Sequence, residues 1–338
     1  MPAQMPDADQ PLREGAATLV FDGVTKVYPG RREPAVSDLS LEIPAGEICV
    51  LIGPSGSGKT TAMKVVNRLI PMSSGDVTID GRSIGDIDET ELRRGIGYVF
   101  QQIGLFPHMT VEGNVGTVPR LSGWSKERIR DRSRELLELV GLDPDEDMGR
   151  YPGEFSGGQQ QRIGVARAMA ADQPLMLMDE PFGAVDPIAR DRLQDDFLRL
   201  HAEMPKTVVF VTHDIDEAIK MGTRIAILRD GELVQYDTPD RILAAPANEF
   251  VADFVGADRG LKRLVVWHLR DTPLEEAAGE PSLPSARDDM SLRDALSLML
   301  TEGVERLTVV DADGRVKGTV ALGTITRLIG PDEPAVRT

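Results

Sequence analysis

The sequence predicts an α/β chain: a main domain with an inserted helical subdomain, followed by a small α/β appendage. Three observations predict it. Short apolar runs alternate with longer amphipathic stretches from Thr18 to about Phe254, the rhythm of strands crossed over by helices. A glycine-rich turn, Gly53-Pro54-Ser55-Gly56-Ser57-Gly58-Lys59-Thr60, follows the apolar run Ile48–Ile52. After Gly256 the composition and periodicity change.

Taken in order, residues 1–17 are rich in Pro, Ala, Asp and Gln without an apolar period and read as a disordered leader. A main domain over 18–256 follows. Its candidate strands are Thr18–Phe21, Ile48–Ile52, Gly97–Phe100, Leu175–Met178, Val208–Val211 and Ile225–Leu228. Several are continuously apolar, as buried central strands are. Residues 119–160 turn charged and helical, with Ile129, Leu136, Leu137, Leu139 and Val140 on one apolar face, and define the inserted subdomain. Residues 257–290 read as a linker, because Asp271–Asp289 is rich in Pro, Glu, Ala and Asp. Over 291–330, Leu292, Ala295, Leu296, Met299 and Leu300 mark a helical face. The strand Leu307–Val310, the turn Asp311–Gly314 and a strand over Val316–Leu322 complete the appendage.

Composition narrows the classes. The chain has 338 residues, 41% of them hydrophobic, and a net charge of −17. That balance argues against a nucleic-acid partner, which requires a basic surface. No apolar run approaches the ~20 residues needed to span a bilayer, and the N-terminus lacks a basic segment followed by a hydrophobic one; a cytoplasmic location is expected. The single cysteine, Cys49, lies in an apolar strand and reads as a small buried hydrophobe, which leaves no disulfide framework.

The glycine turn is a phosphate cradle. A strand running through a tight turn into a helix converges backbone N–H groups where the helix dipole is positive, and glycines let that backbone approach an anion. Lys59 then reaches the terminal phosphates and the Thr60 hydroxyl ligates Mg²⁺. Alone, the loop specifies a nucleoside triphosphate and nothing narrower. Further motifs follow: Phe100-Gln101; Ser156-Gly157-Gly158-Gln159; the strand Leu175–Met178 ending in Asp179-Glu180; Ala184-Val185-Asp186; and Thr212-His213-Asp214. Phosphoryl transfer needs cations, N–H donors and a group that orients water. Asp179, at the end of a buried strand, suits a metal link through water, and Glu180 beside it suits the general base. His213 taken alone is more commonly a satisfied structural histidine.

This ordered set resembles the nucleotide-binding subunit of an ATP-binding cassette (ABC) transporter, across roughly Thr18–Gly256. The resemblance implies a P-loop ABC ATPase domain in which Gly53–Thr60, with Thr61, bind ATP as the Walker A motif. It implies that Tyr28 stacks on adenine and that Gln101 is the Q-loop glutamine, joining Thr60 and Asp179 around Mg²⁺. Glu180 and His213 are then catalytic and Asp186 marks the D-loop. Ser156, Gly157, Gly158 and Gln159 form the signature motif, which in this family completes the ATP site of a second subunit, so a homodimer is implied.

With no membrane helix and no second cassette read in the sequence, the resemblance implies a separate energising subunit docked on integral membrane permease subunits at the cytoplasmic face, indirectly served by a solute-binding protein. Gln101–Val115 is similar to the part of the family that receives the permease, and equally reads as an exposed loop. The strings Gln101–Thr110, Phe182–Arg190 and Pro246–Val251 look like those of osmoprotectant importers of glycine betaine, choline or carnitine. Val185 departs from the leucine of many relatives. Importers of amino acids or other small solutes, and a soluble ATPase switch without a permease, are the alternatives. Ser291–Leu328 resembles one cystathionine-β-synthase-type (CBS) regulatory repeat, where such ATPases commonly carry two.

Overall fold

A computed structural model divides the chain into two compact units, Met1–Asp214 with Met221–Tyr236, and Ile215–Lys220 with Asp237–Thr338. The structure describes residues 15–99, 104–183, 185–203, 206–275 and 283–328. Most of the expected leader therefore lies outside the described residues. By Ala17, however, the chain is packed: that residue is buried and its carbonyl accepts from the Thr207 hydroxyl at 2.5 Å.

The first unit holds two sheets. Strands β1 (Leu19–Lys26), β2 (Val36–Ile43), β4 (Ser74–Ile79) and β5 (Arg82–Ser83) run antiparallel in the order β2-β1-β4-β5. Strands β3 (Ile48–Ile52), β6 (Ile96–Val99), β7 (Leu175–Asp179), β8 (Thr207–Val211), β9 (Arg224–Arg229) and β10 (Glu232–Asp237) form the other, in the order β10-β9-β3-β8-β7-β6. From β9 to β6 the neighbours are parallel. Strands β3, β7 and β8 are buried at every position, which is why they are legible as unbroken apolar runs. By contrast β2 alternates buried and exposed residues along Leu39–Ile43, a period-2 pattern with polar residues between the apolar ones.

Helix α1 (Lys59–Val66) starts in the glycine turn and α2 (Glu89–Arg94) precedes β6. Between β6 and β7 lie α3 (Val111–Val115), α4 (Thr117–Leu121), α5 (Lys126–Leu139), α6 (Pro144–Asp147) and α7 (Gly157–Ala168). The helical insertion thus begins before residue 119. It begins with a buried amide: the Asn114 amide N–H groups donate to the carbonyls of Phe106, Met109 and Thr110, and its oxygen accepts from Phe106 N–H. Those bonds fold residues 106–114 into a closed turn. Helix α8 (Pro187–Glu203) joins β7 to β8, and α9 (Ile215–Met221) precedes β9.

In the second unit, α10 (Pro239–Ala244), α11 (Glu249–Val255) and α12 (Arg259–Val266) precede a three-stranded sheet. Its strands are β11 (Ser285–Arg287), β12 (Arg306–Val310) and β13 (Val316–Ala321), with β11 and β12 parallel and β12 and β13 antiparallel. Helix α13 (Leu292–Glu302) ends on Gly303, whose φ of 66° suits a left-handed cap, and α14 (Leu322–Leu328) follows β13. Leu264, Leu269, Leu292, Met299, Leu307, Val309, Val320 and Ile325 share one apolar cluster. Residues 257–290, expected as a linker, therefore contain α12 and β11. The composition of Asp271–Asp289 outweighed them, because among the described residues of 257–290 just Leu264, Leu269 and Ala286 are fully buried in that cluster, with Trp267, Leu274 and Met290 packed against it.

Candidate functional site

The glycine turn has the backbone the sequence requires. Gly53, Gly56 and Gly58 adopt φ of 152°, 81° and 98°. A Cβ on Gly53 would collide with the Leu228 carbonyl, and one on Gly58 with the Ala35 carbonyl; side-chain-bearing residues fit neither place. Lys59 is buried, with its ammonium donating to the carbonyls of Gly53 and Pro54 at 2.8 and 2.9 Å and standing 3.3 Å from Ser57 Oγ. Burial pushes its pKa below the usual lysine range, opposed by the charges of Glu180 and Asp179.

Strand β7 delivers the carboxylates. Thr60 Oγ1 donates to Asp179 Oδ1 at 3.1 Å, bringing the two expected metal-linked oxygens together. Burial raises the Asp179 pKa, opposed by that hydrogen bond and by Lys64 and Lys59. A buried carboxylate with its charge disfavoured and a hydroxyl against it make a pair of hard oxygen donors suited to a cation such as Mg²⁺. Glu180 stands at φ 47°, a strained conformation for a non-glycine residue. Three hydrogen bonds hold it: its N–H donates to Val211 O at 2.9 Å, and its carbonyl accepts from Gln161 Nε2 at 2.9 Å and Gly183 N at 3.1 Å. Its Oε1 lies 3.3 Å from His213 Nδ1, and the histidine side chain is 71% exposed.

Tyr28, half-buried two residues after β1, approaches Thr61, with the two side-chain oxygens 3.4 Å apart. A cavity of about 470 Å³ opens over the loop, lined by Tyr28, Arg31, Ala35, Gly56, Gly58, Lys59, Thr60 and Thr61. No residue of Ser156–Gln159 lines it. That motif instead opens α7: Ser156 Oγ accepts from Gln159 N at 3.3 Å and Gln159 Oε1 accepts from Ser156 N at 2.9 Å. This reciprocal cap leaves the helix N-terminus exposed, where it suits an anion. Asp186 Oδ1 accepts from Ala189 N at 3.0 Å at the start of α8. Gln101 lies outside the described residues, as does Ala184.

Three side chains at the site carried no separate signal. Gln161 ties α7 to Glu180 across 19 residues of sequence. Arg167, also on α7, is buried and donates to the Gly104 carbonyl at 2.6 Å, just after the Gln101 segment. Arg31 lines the nucleotide-sized cavity from a loop. Residue types alone do not announce such long-range bonds.

The glycine loop, the strand-end carboxylates and the histidine follow directly on β3, β7 and β8 of one sheet, an arrangement suited to a nucleoside triphosphate. Comparison with known proteins agrees. A family model described as ABC transporter matches residues 36–183, and one described as CBS domain matches 280–330. The chain is 51% identical to the osmoprotectant import ATP-binding protein OsmV of Salmonella typhimurium, over 89% of this chain and 78% of that protein. It is 51% identical to the glycine betaine/carnitine/choline transport ATP-binding protein OpuCA of Bacillus subtilis, with the same coverage. The glycine betaine uptake system ATP-binding protein YehX of Escherichia coli is 45% identical over 89% of this chain and 96% of its own length. Among solved structures, the dimeric post-hydrolysis state of the ATP-binding cassette MJ0796 bound to ADP and Pi matches with a TM-score of 0.61 and 35% identity, over 65% of this chain and 98% of that one. The chain belongs to the ATP-binding proteins of ABC transporters. It carries a cassette ATPase and a CBS-type region, and among the described residues no helix is long and apolar enough to cross a membrane.

Proposed function

We propose that this protein is the ATP-hydrolysing subunit of an importer of quaternary-amine osmoprotectants such as glycine betaine, choline or carnitine. The observation that carries this reading is 51% identity to osmoprotectant and betaine/carnitine/choline import proteins over 89% of the chain, cassette and C-terminal region together. Two copies form a homodimer on the permease at the cytoplasmic face of the membrane, and a solute-binding protein delivers the solute. The transported solute touches the permease and not this chain, so the importer's choice of solute rests on kinship.

In the proposed reaction the loop Gly53–Thr61 binds the phosphates through its N–H groups and Tyr28 supports the adenine. Lys59 exchanges its loop carbonyls for the terminal phosphates, which offsets the burial of its charge. Glu180 accepts a proton from the attacking water at its carboxylate, and His213, 3.3 Å from that carboxylate, orients it and reaches the γ-phosphate. Ser156–Gln159 of a second copy close over the nucleotide from the other side. Thr60, Asp179 and Gln101 would hold Mg²⁺, which when bound supplies charge to neutralise the phosphates. Closure over two ATP drives transport and hydrolysis reopens the dimer.

Uptake by vesicles containing the complex reconstituted with its permease tests the reading. Saturable, ATP-dependent uptake of betaine, choline or carnitine is expected; uptake of amino acids alone, or none, overturns it.

A further inference from the structure

Lys26, the last residue of β1, has no part in the site described above. It is only 7% exposed. Its ammonium donates to the Pro71 carbonyl at 2.6 Å and stands over the Tyr28 ring, 5.2 Å from the centroid. These are the polar partners of the ammonium among the described residues, and neither is a carboxylate. A buried cation without a counter-charge is costly to keep. Its position accounts for it: a cation within about 6 Å of an aromatic centroid is attracted by the negative face of the ring.

The ring is held at two places. Its hydroxyl meets Thr61 in the first turn of α1, and one face meets the ammonium, itself anchored on Pro71 shortly beyond the end of the same helix. The supports therefore lie in the helix that begins in the phosphate loop and in the segment that follows it. Tyr28 lines the cavity over that loop and Lys26 does not, so the ammonium supports the ring without occupying the space a base would take. We infer that Lys26 is a positioning residue for nucleobase binding, fixing the plane of Tyr28 at a set distance from the phosphate loop. Fixing the ring before ATP arrives removes part of the ordering cost of stacking. The inference rests on the reading of Tyr28 as the adenine platform.

The test measures the affinity of the full chain for Mg·ATP and for inorganic triphosphate, which has no base, by calorimetry in a Glu180→Gln background. Lys26→Gln keeps an N–H donor without the charge; Lys26→Met removes both; Lys26→Arg keeps a cation. Lys26→Gln and Lys26→Met should raise the Kd for ATP roughly threefold to tenfold. Triphosphate affinity should stay within about twofold, because the base alone meets the ring. Lys26→Arg should restore most of the ATP affinity. In a Tyr28→Ala background, itself weakened for ATP, Lys26→Gln should change nothing further. Equal weakening toward both ligands, wild-type ATP affinity in Lys26→Gln, or an effect that persists without Tyr28 overturns the inference while leaving the platform reading intact. Unchanged ATP affinity in Tyr28→Ala overturns the platform reading, and the inference with it.

Discussion

Glu180 combines a φ of 47° with three backbone hydrogen bonds, so its carboxylate is presented by a conformation that costs about 1–3 kcal/mol and is held from β8, α7 and its own turn. Strain of that kind persists where geometry matters more than stability. Glu180→Gln keeps the shape and removes the base, so hydrolysis should fall roughly 10²- to 10⁴-fold with ATP binding retained. Single-turnover hydrolysis beside equilibrium binding checks this, and turnover near the wild-type rate would remove the role. Asp179 yields a prediction of opposite sense. Burial raises its folded pKa, so its contribution to stability is present at low pH and lost as pH rises from the ordinary carboxylate range through the raised value. Asp179→Asn, which can still accept from Thr60, should therefore raise the Tm of the nucleotide-free protein near neutral pH while abolishing Mg²⁺-dependent hydrolysis. A lower Tm would contradict the burial argument.

Helix α7 shows how one element serves two purposes. Ser156 and Gln159 cap it within the chain, and the same N-terminus is left for a phosphate. Ser156→Ala should cost about 1 kcal/mol of stability together with activity. Ser156→Asp keeps a good cap but sets a carboxylate against the phosphate, so denaturation should recover and hydrolysis should not; recovery of both would leave the motif a cap alone. Helix α8 carries a pH-dependent group. Burial depresses the His201 pKa against the opposing effect of its 2.7 Å bond to Lys206 O. A depressed base contributes stability that is present above its ordinary pKa near 6.5 and is lost as pH falls through the folded value. Denaturation midpoints should fall below about pH 6.5 more steeply in the wild type than in His201→Gln.

At the level of elements, legibility in the sequence followed locality. The phosphate loop and β3, β7 and β8 were readable because each is specified within a few residues by spacing or unbroken apolarity. Strand β2 was hidden by its half-buried alternation, and α12 lay beside a Pro- and acid-rich stretch that outweighed Leu264. In the site, the motif residues were readable by their order. Gln161 on Glu180 and Arg167 on Gly104 were not, since those partnerships arise when α7 meets residues distant in sequence, and Lys26 on Tyr28 was not, since the ammonium also needs the Pro71 carbonyl 45 residues away.

On the scale of the whole molecule, the C-terminal unit is more than an appended repeat. Asp240 of α10 accepts from Arg263 Nε at 3.0 Å and Trp267 Nε1 at 2.8 Å, so α10 and α12 are bonded ahead of the CBS-type sheet. Cutting the chain at Gly256 removes both donors along with Leu264 of the apolar cluster. We propose that this CBS-type unit makes transport responsive to salt or nucleotide; the truncation should then abolish that response while ATP hydrolysis persists, and a response surviving unchanged would leave the C-terminal region a stabilising tail. In the proposed dimer each ATP site is shared between two copies, since Ser156–Gln159 do not line the cavity over their own phosphate loop. Mixing two inactive variants in the reconstituted complex, Lys59→Ala and Gly158→Asp, measures this most directly. In a mixed dimer one site carries both defects and the other carries none, so a 1:1 mixture should hydrolyse ATP at up to about a quarter of the wild-type rate when subunits pair at random. A mixture no more active than either variant alone would contradict the account.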